Sequence, residues 1–282
     1  MRAAEDDSDS TSPESGHGVE HRVSVSAFVD IPAGRLEVLD LAGDPNEPPL
    51  VLLHEGLGSV GRWRSVPQRL QRATGLRTIA FSRFGHGRSD PPPRPRAPLS
   101  LHEEEARDVL PAVLGKLEVE RPILVGHSDG GSIALIYAAE HRVTGLVLLA
   151  PHVFVEEKCV AAIAEVEAGF EAELQERMAR HHHDPVVTFR GWADVWLAPE
   201  FRRWNLEPLL PSIAAPTLLI QGRDDEYGTL AQIDTIAAAI SAPAEKLVVP
   251  GGHSPHLEHR ERVVQAIERF VCRLLGRRAG GG

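Results

Sequence analysis

The chain has 282 residues, 42% hydrophobic and 25% charged, with a formal net charge of −10. That length suits one large α/β domain carrying an insertion, or two small domains. The acidic balance argues against a nucleic-acid partner, whose phosphates it would repel. No apolar run approaches the roughly 20 residues that a membrane span needs.

The opening MRAAEDDSDSTSPESGHG is acidic and Ser-rich and lacks the apolar stretch of a secretory signal. Residues 1–20 are therefore read as a disordered tail and 277–282 as a flexible one. Cys159 and Cys272 lie far apart and form no metal or redox motif, which fits a reducing cytoplasm.

Short β-branched runs alternate with longer amphipathic stretches, the pattern of a mostly parallel sheet covered by helices. RVSVSAFVDI (22–31) and RLEVLDLA (35–42) come first with no helix between them. They are expected to pair as an antiparallel hairpin at a sheet edge. Near-continuous apolar runs follow at 50–55, 76–82, 122–128, 144–150, 216–222 and 245–251, as expected of strands buried on both faces. Helical patterns lie at 61–74, 102–116, 130–141, 229–240 and 258–275. The basic stretch RFGHGRSDPPPRPR (83–96) is broken by prolines and reads as a loop.

Some sixty residues separate the fourth and fifth of these runs, too many for one crossover. Within them Val155, Cys159, Ile163, Val166, Phe170, Leu174 and Met178 recur at helical spacing, with Gly169 as a dividing point. Residues 152–208 are read as a helical insertion over one end of the sheet. It holds Phe154, Phe170, Phe189, Trp192, Trp196, Phe201 and Trp204, half of the chain's aromatic residues. They are available for an apolar acyl or aryl pocket, or for the insertion's own core. HHHD (181–184) reads as a helix end stopped by Pro185. Adjacent helical residues point about 100° apart and do not converge on one metal ion.

Gly126-His127-Ser128-Asp129-Gly130 follows a buried strand and precedes an apolar helix, the context in which G-x-S-x-G carries meaning. The turn holds its central residue in a strained conformation and needs small residues two positions to either side. With Ser128 central the flanks are Gly126 and Gly130. With Asp129 central one flank would be His127, too bulky. Ser128 is thus the nucleophile, which excludes the aspartate-based chemistry of dehalogenases and epoxide hydrolases. The Asp129 N–H then lies at a helix start, suited to an oxyanion. A serine needs a base, and the base an orienting acid. Two later strands end in GRDDEYG, with Asp224 and Asp225, and PGGHSPHLE, with His253 and His256.

With these motifs in order, the chain resembles the α/β-hydrolase-fold superfamily from about Val23 to Leu275. The resemblance implies a mostly parallel eight-stranded sheet flanked by helices, formed by 21–151 and 209–276, with 152–208 as a helical cap. It maps the acid to Asp225, ahead of Asp224, and the base to His253. Aligning His54 with the family's His-Gly-x loop puts Gly56 at the second oxyanion donor, beside Asp129. Glu55 stands where glycine is usual.

Glu55 and Arg83 follow neighbouring strands and are read as an ion pair bracing that loop, or as two solvent-facing residues. Glu55, Trp192 and Trp196 are the expected substrate contacts, and Arg190, Arg202 and Arg203 could meet a carboxylate.

The reaction implied is hydrolysis of a small carboxylic ester, thioester or lactone through an acyl-enzyme, with no metal and no cofactor. Alternatives are C–C bond hydrolysis of a ring-cleavage diketone by the same triad, proline iminopeptidase-like activity, or a non-catalytic ligand receptor. The expected partner is a small-molecule acyl substrate, with neither nucleic acid nor membrane, and a homo-oligomer is left open.

Overall fold

The computed structural model describes residues 27–95 and 97–277. The expected N-terminal tail, the start of the first predicted strand and nearly all of the C-terminal tail lie outside the described residues. Eight strands form one sheet in the order β1-β2-β4-β3-β5-β6-β7-β8. They are β1 (Ala27–Ile31), β2 (Gly34–Leu41), β3 (Leu50–Leu53), β4 (Thr78–Phe81), β5 (Ile123–His127), β6 (Gly145–Leu149), β7 (Thr217–Gly222) and β8 (Ala244–Val249). The β1–β2 hairpin sits at one edge, as its sequence suggested, and β2 joins β4 antiparallel. All other pairs are parallel.

Every residue of β3 to β7 is buried, because helices cover both faces. Alternate side chains point to opposite faces. Leu50, Leu52, Ile123 and Val125 share one apolar cluster with α1 (Val66–Thr74) and the C-terminal helix α10 (Arg260–Leu274). Val51, Leu53 and Leu124 enter the other, with α2 (Leu101–Glu104), α3 (Leu110–Lys116) and α4 (Asp129–Glu140). Each fully buried Leu or Ile contributes about 1.5–3 kcal/mol, so a polar residue at any of these positions would open the sheet. A π turn, Glu105–Val109, joins α2 to α3. The helix α8 (Ala231–Ala239) connects β7 to β8, and the short α9 (Pro255–Glu258) precedes α10.

Between β6 and β7 the chain forms α5 (Glu157–Ala168), a π turn (Phe170–Leu174), α6 (Gln175–Ala179) and α7 (Pro185–Leu197), then two 3-10 turns. Of the predicted stripe, Cys159, Ile163, Phe170 and Met178 are buried, and Val155, Val166 and Leu174 are half-buried against the same core. Pro185 does not stop a helix, as expected, but begins one. At the first helical position its missing N–H costs no hydrogen bond. Asp184 caps α7 by accepting from the N–H groups of Val186 and Val187, each at 3.0 Å.

Candidate active site

The β5–α4 turn carries the strain that its sequence implied. Ser128 has φ 52° and ψ −119°, a left-handed conformation that costs a non-glycine residue about 1–3 kcal/mol. A Cβ on Gly126 would overlap the Gly130 carbonyl, and one on Gly130 would overlap the Leu53 carbonyl. Both glycines are therefore required by close backbone approach. The Ser128 N–H donates to Leu149 O at 2.9 Å, and its carbonyl accepts from Gly131 N at 2.8 Å, which locks the turn between β6 and α4.

Asp225 and His253 come together beyond the ends of β7 and β8. His253 Nδ1 lies 2.9 Å from each carboxylate oxygen of Asp225. Those oxygens also accept from Gln221 Nε2 at 2.6 Å and from Tyr227 N at 2.8 Å. Burial alone would raise the Asp225 carboxyl, but the bond and charge of His253 and the Tyr227 N–H outweigh it and hold the group below the usual carboxylate range. The His253 backbone is fixed at both ends. Its N–H donates to Glu226 Oε2 at 3.2 Å, and its carbonyl lies 2.8 Å from Nε2 of His127, the residue before Ser128. Asp224 is exposed and serves the turn, accepting from Gly251 N at 3.4 Å. His256 is buried against Trp63 and His127.

The loop after β3 is held by backbone rather than by the expected side-chain pair. Arg83 Nη2 donates to the Glu55 carbonyl at 2.9 Å, and His54 Nδ1 lies 2.7 Å from the same oxygen. His54 Nε2 in turn accepts from Arg83 N at 3.0 Å, which leaves Nδ1 as its donor. The Glu55 carboxylate instead turns toward Arg62, at 3.8 Å, and His127, at 3.6 Å, so the Glu55–Arg83 ion pair is not formed. Fixing this carbonyl also fixes the Gly56 N–H, which points the opposite way across the same trans peptide. The ring of Trp192 lies so close on Gly56 that a Cβ there would overlap it.

Arg83 pairs with Asp129 instead. The Asp129 side chain is 1% exposed and lies 3.7 Å from Arg83 Nη2 and 3.2 Å from His102 Nε2. It accepts from Trp196 Nε1 at 3.1 Å. Burial would favour the neutral acid, but His102, Arg83 and His152 override it and hold the carboxyl well below its ordinary range.

Further bonds fasten the insertion to the loops after β3 and β4. Gly87 N donates to His182 Nδ1 at 3.0 Å, leaving His182 Nε2–H for Leu57 O at 3.0 Å, and Thr188 donates to Gly85 O. His182 is thereby held as a neutral ring, its pKa pushed down to about 4, chiefly by burial.

A cavity of about 520 Å³ adjoins Gly56 and Asp129. Its walls include Phe84, Pro92, Pro95, Val187 and Trp192, together with Arg83. Of the three expected substrate contacts only Trp192 reaches it. Glu55 folds back over its own loop, and Trp196 is committed to Asp129. Most aromatics of the insertion pack on one another: Phe170 stacks on Phe189, and Trp196, Phe201 and Trp204 surround His102. Arg190 borders the cavity but donates to Glu167 at 2.6 Å, and Arg202 pairs with Glu157. His102 and His152 had no sequence signal, since each looks locally like one more polar position; His182 lies in HHHD, read only as a helix end.

Residues 50–266 match the model of the alpha/beta hydrolase family. The chain belongs to that family. It is 28% identical over 260 residues to a pimeloyl-[acyl-carrier protein] methyl ester esterase of Xanthomonas oryzae pv. oryzae, covering 80% of this chain and 95% of the relative. To the serine hydrolase BPHL of Mus musculus it is 26% identical over 231 residues, covering 78% of each. Among solved structures, Est816, described as an N-acyl homoserine lactone degrading enzyme, superposes with a TM-score of 0.64 at 26% identity, covering 86% of this chain and all of the other. No helix among the described residues is long and apolar enough to cross a membrane.

Proposed function

We propose that this α/β-fold hydrolase cleaves small carboxylic esters, thioesters or lactones through an acyl-enzyme on Ser128. The observation that carries the reading is the Asp225–His253 pair, 2.9 Å apart, on the loops that follow β7 and β8, in a chain whose β5–α4 turn strains Ser128. The ester-, lactone- and serine-hydrolase chemistry of the relatives supports the same class.

In the first step His253 Nε2 takes the proton of Ser128 Oγ as that oxygen attacks the substrate carbonyl. The N–H groups of Gly56 and Asp129 receive the developing oxyanion. His253 then passes the proton to the leaving oxygen or sulfur. Water attacks the acyl-enzyme, His253 takes its proton and returns it to Ser128 Oγ as the acid departs. Residues 152–208 act as a cap, and the cavity beneath it receives the apolar part of the substrate.

A panel of p-nitrophenyl esters, acyl-CoAs and lactones tests the reading beside Ser128→Ala. The variant should lose at least about 10³-fold in kcat on every substrate turned over. Turnover near wild type in Ser128→Ala would overturn it.

A further inference from the structure

Besides His127, the chain carries another imidazole beside His253 that the triad does not use. The sheet order places β6 between β5, which leads to Ser128, and β7, which leads to Asp225. His152 stands three residues beyond the end of β6. Its backbone is pinned on both sides: Ser132 donates to the His152 carbonyl at 2.7 Å, and the next N–H, of Val153, donates to Gln232 at 2.8 Å. The ring is thus delivered to a fixed place, 5.6 Å from the His253 ring and 5.1 Å from that of Trp196. It is 2% exposed, and its Nδ1 has no hydrogen-bond partner.

We propose that His152 is a positioning residue for deacylation: its ring holds the water that His253 activates. This rests on the acyl-enzyme reading above. Imidazole nitrogens lie about 1.1 Å from their ring centroid, so centroids 5.6 Å apart admit the nitrogen separation of about 4.5 Å that one bent water bridges with two bonds of about 2.8 Å. A neutral imidazole offers one acceptor nitrogen. Burial, followed by the charge of nearby His253, pushes the His152 pKa down to about 4, which keeps that acceptor available near neutral pH.

The water then donates one hydrogen to His253 Nε2 and the other to His152, so its lone pair is aimed at the acyl carbon. On attack, the new C–O bond forms and the first proton moves to His253. The Ser128 Oγ–C bond breaks as that proton returns to Oγ. The second hydrogen leaves with the carboxylic acid. His152 exchanges no proton; it supplies orientation.

Methanol provides the test, because its single O–H serves His253 and has no second hydrogen for His152. With p-nitrophenyl butyrate in aqueous methanol, the ratio of methyl butyrate to butyric acid reports how the acyl-enzyme divides, whichever step limits turnover. His152→Phe should raise that ratio about tenfold, with kcat/KM for p-nitrophenolate release within about twofold of wild type. His152→Gln, whose carbonyl still accepts, should stay within about twofold of the wild-type ratio.

Should His152→Phe not accumulate as folded protein, His152→Leu is read in the same way. An unchanged ratio in the apolar variant, or an equal rise in both variants, overturns the proposal. Failure of the acyl-enzyme reading would show separately, as wild-type turnover by Ser128→Ala.

Discussion

Buried histidines lie on both sides of the β5–α4 turn, and the two groups are used differently. On the side of the β3 and β4 loops, His54 and His182 spend both ring nitrogens on backbone groups, and His86 sits between the carbonyls of Phe84 and Gly56. On the β6–β8 side, Nδ1 of His253 is committed to Asp225, while His152 has a ring nitrogen without a partner. The first group fixes peptide planes, and through them the Gly56 N–H. The second, on the proposed reading, supplies the imidazole nitrogens of the reaction. Burial alone does not tell what a histidine does, and neither does an unpartnered nitrogen, since His102, His127 and His256 carry one too; its neighbours decide.

The largest effect should fall on the β6–β8 side. Asp225→Asn should lower kcat about 10⁴-fold by presenting the wrong partner to His253 Nδ1, with KM little changed in steady-state assays. A loss of less than tenfold would move the acid elsewhere.

On the other side the cost should appear in stability. Arg83→Met leaves Asp129 buried with its cationic partner gone and should destabilise the fold by about 3–5 kcal/mol, read from urea unfolding midpoints. A loss under about 1 kcal/mol would show that His102 and Trp196 suffice to hold the carboxylate.

Acid should act on both sides at once. Burial is the main cause that lowers the pKa values of His54, His86, His152, His182 and His256, with His86 reaching about 3. The unfolded chain protonates these rings near pH 6.5, whereas the folded protein does so only at much lower pH. The unfolded state therefore binds more protons in that window, and stability falls as pH drops from about 6.5 toward 4. Each histidine contributes about 1.4 kcal/mol per pH unit. Glu55, Asp129 and Asp225, also depressed when folded, add loss of the same sign below about pH 4. Urea midpoints at pH 6.5, 5.5 and 4.5 should show a slope shallower by one histidine's share in His182→Gln.

Trp196→Phe removes the N–H given to Asp129 and leaves a gap where part of the buried indole stood, and should cost at least about 1.5–3 kcal/mol in the same unfolding assay. Arg202→Ala breaks an exposed pair with Glu157 and should stay within about 0.5 kcal/mol by thermal melt. A larger loss would mean that the outer surface of the insertion also holds it closed.

What was legible in the sequence is local. The apolar runs, the glycines around Ser128 and the turns bearing Asp225 and His253 announce themselves within a dozen residues, because turn geometry and strand burial constrain adjacent positions. The Arg83–Asp129 contact, the bonds of His182 to Gly87 and Leu57, and the approach of His152 to His253 join segments that the sheet order brings together from far along the chain. His102 opens the predicted helix over 102–116 among acidic neighbours that give no sign of its burial, yet it is fully buried. The Glu55–Arg83 expectation found the right neighbours and the wrong atoms: Arg83 reaches Glu55 through its carbonyl, which no side-chain pattern encodes.

The prolines along the cavity wall have a thermodynamic consequence. Pro91, Pro92, Pro93, Pro95 and Pro98 all border it, and each ring fixes its own φ. Such a wall has little conformational freedom to surrender when a ligand arrives. The entropy lost on association then falls mainly on the ligand's rotatable bonds. Along a series of esters of equal apolar area, binding should weaken with every added rotor, and rigid acyl groups should hold the advantage.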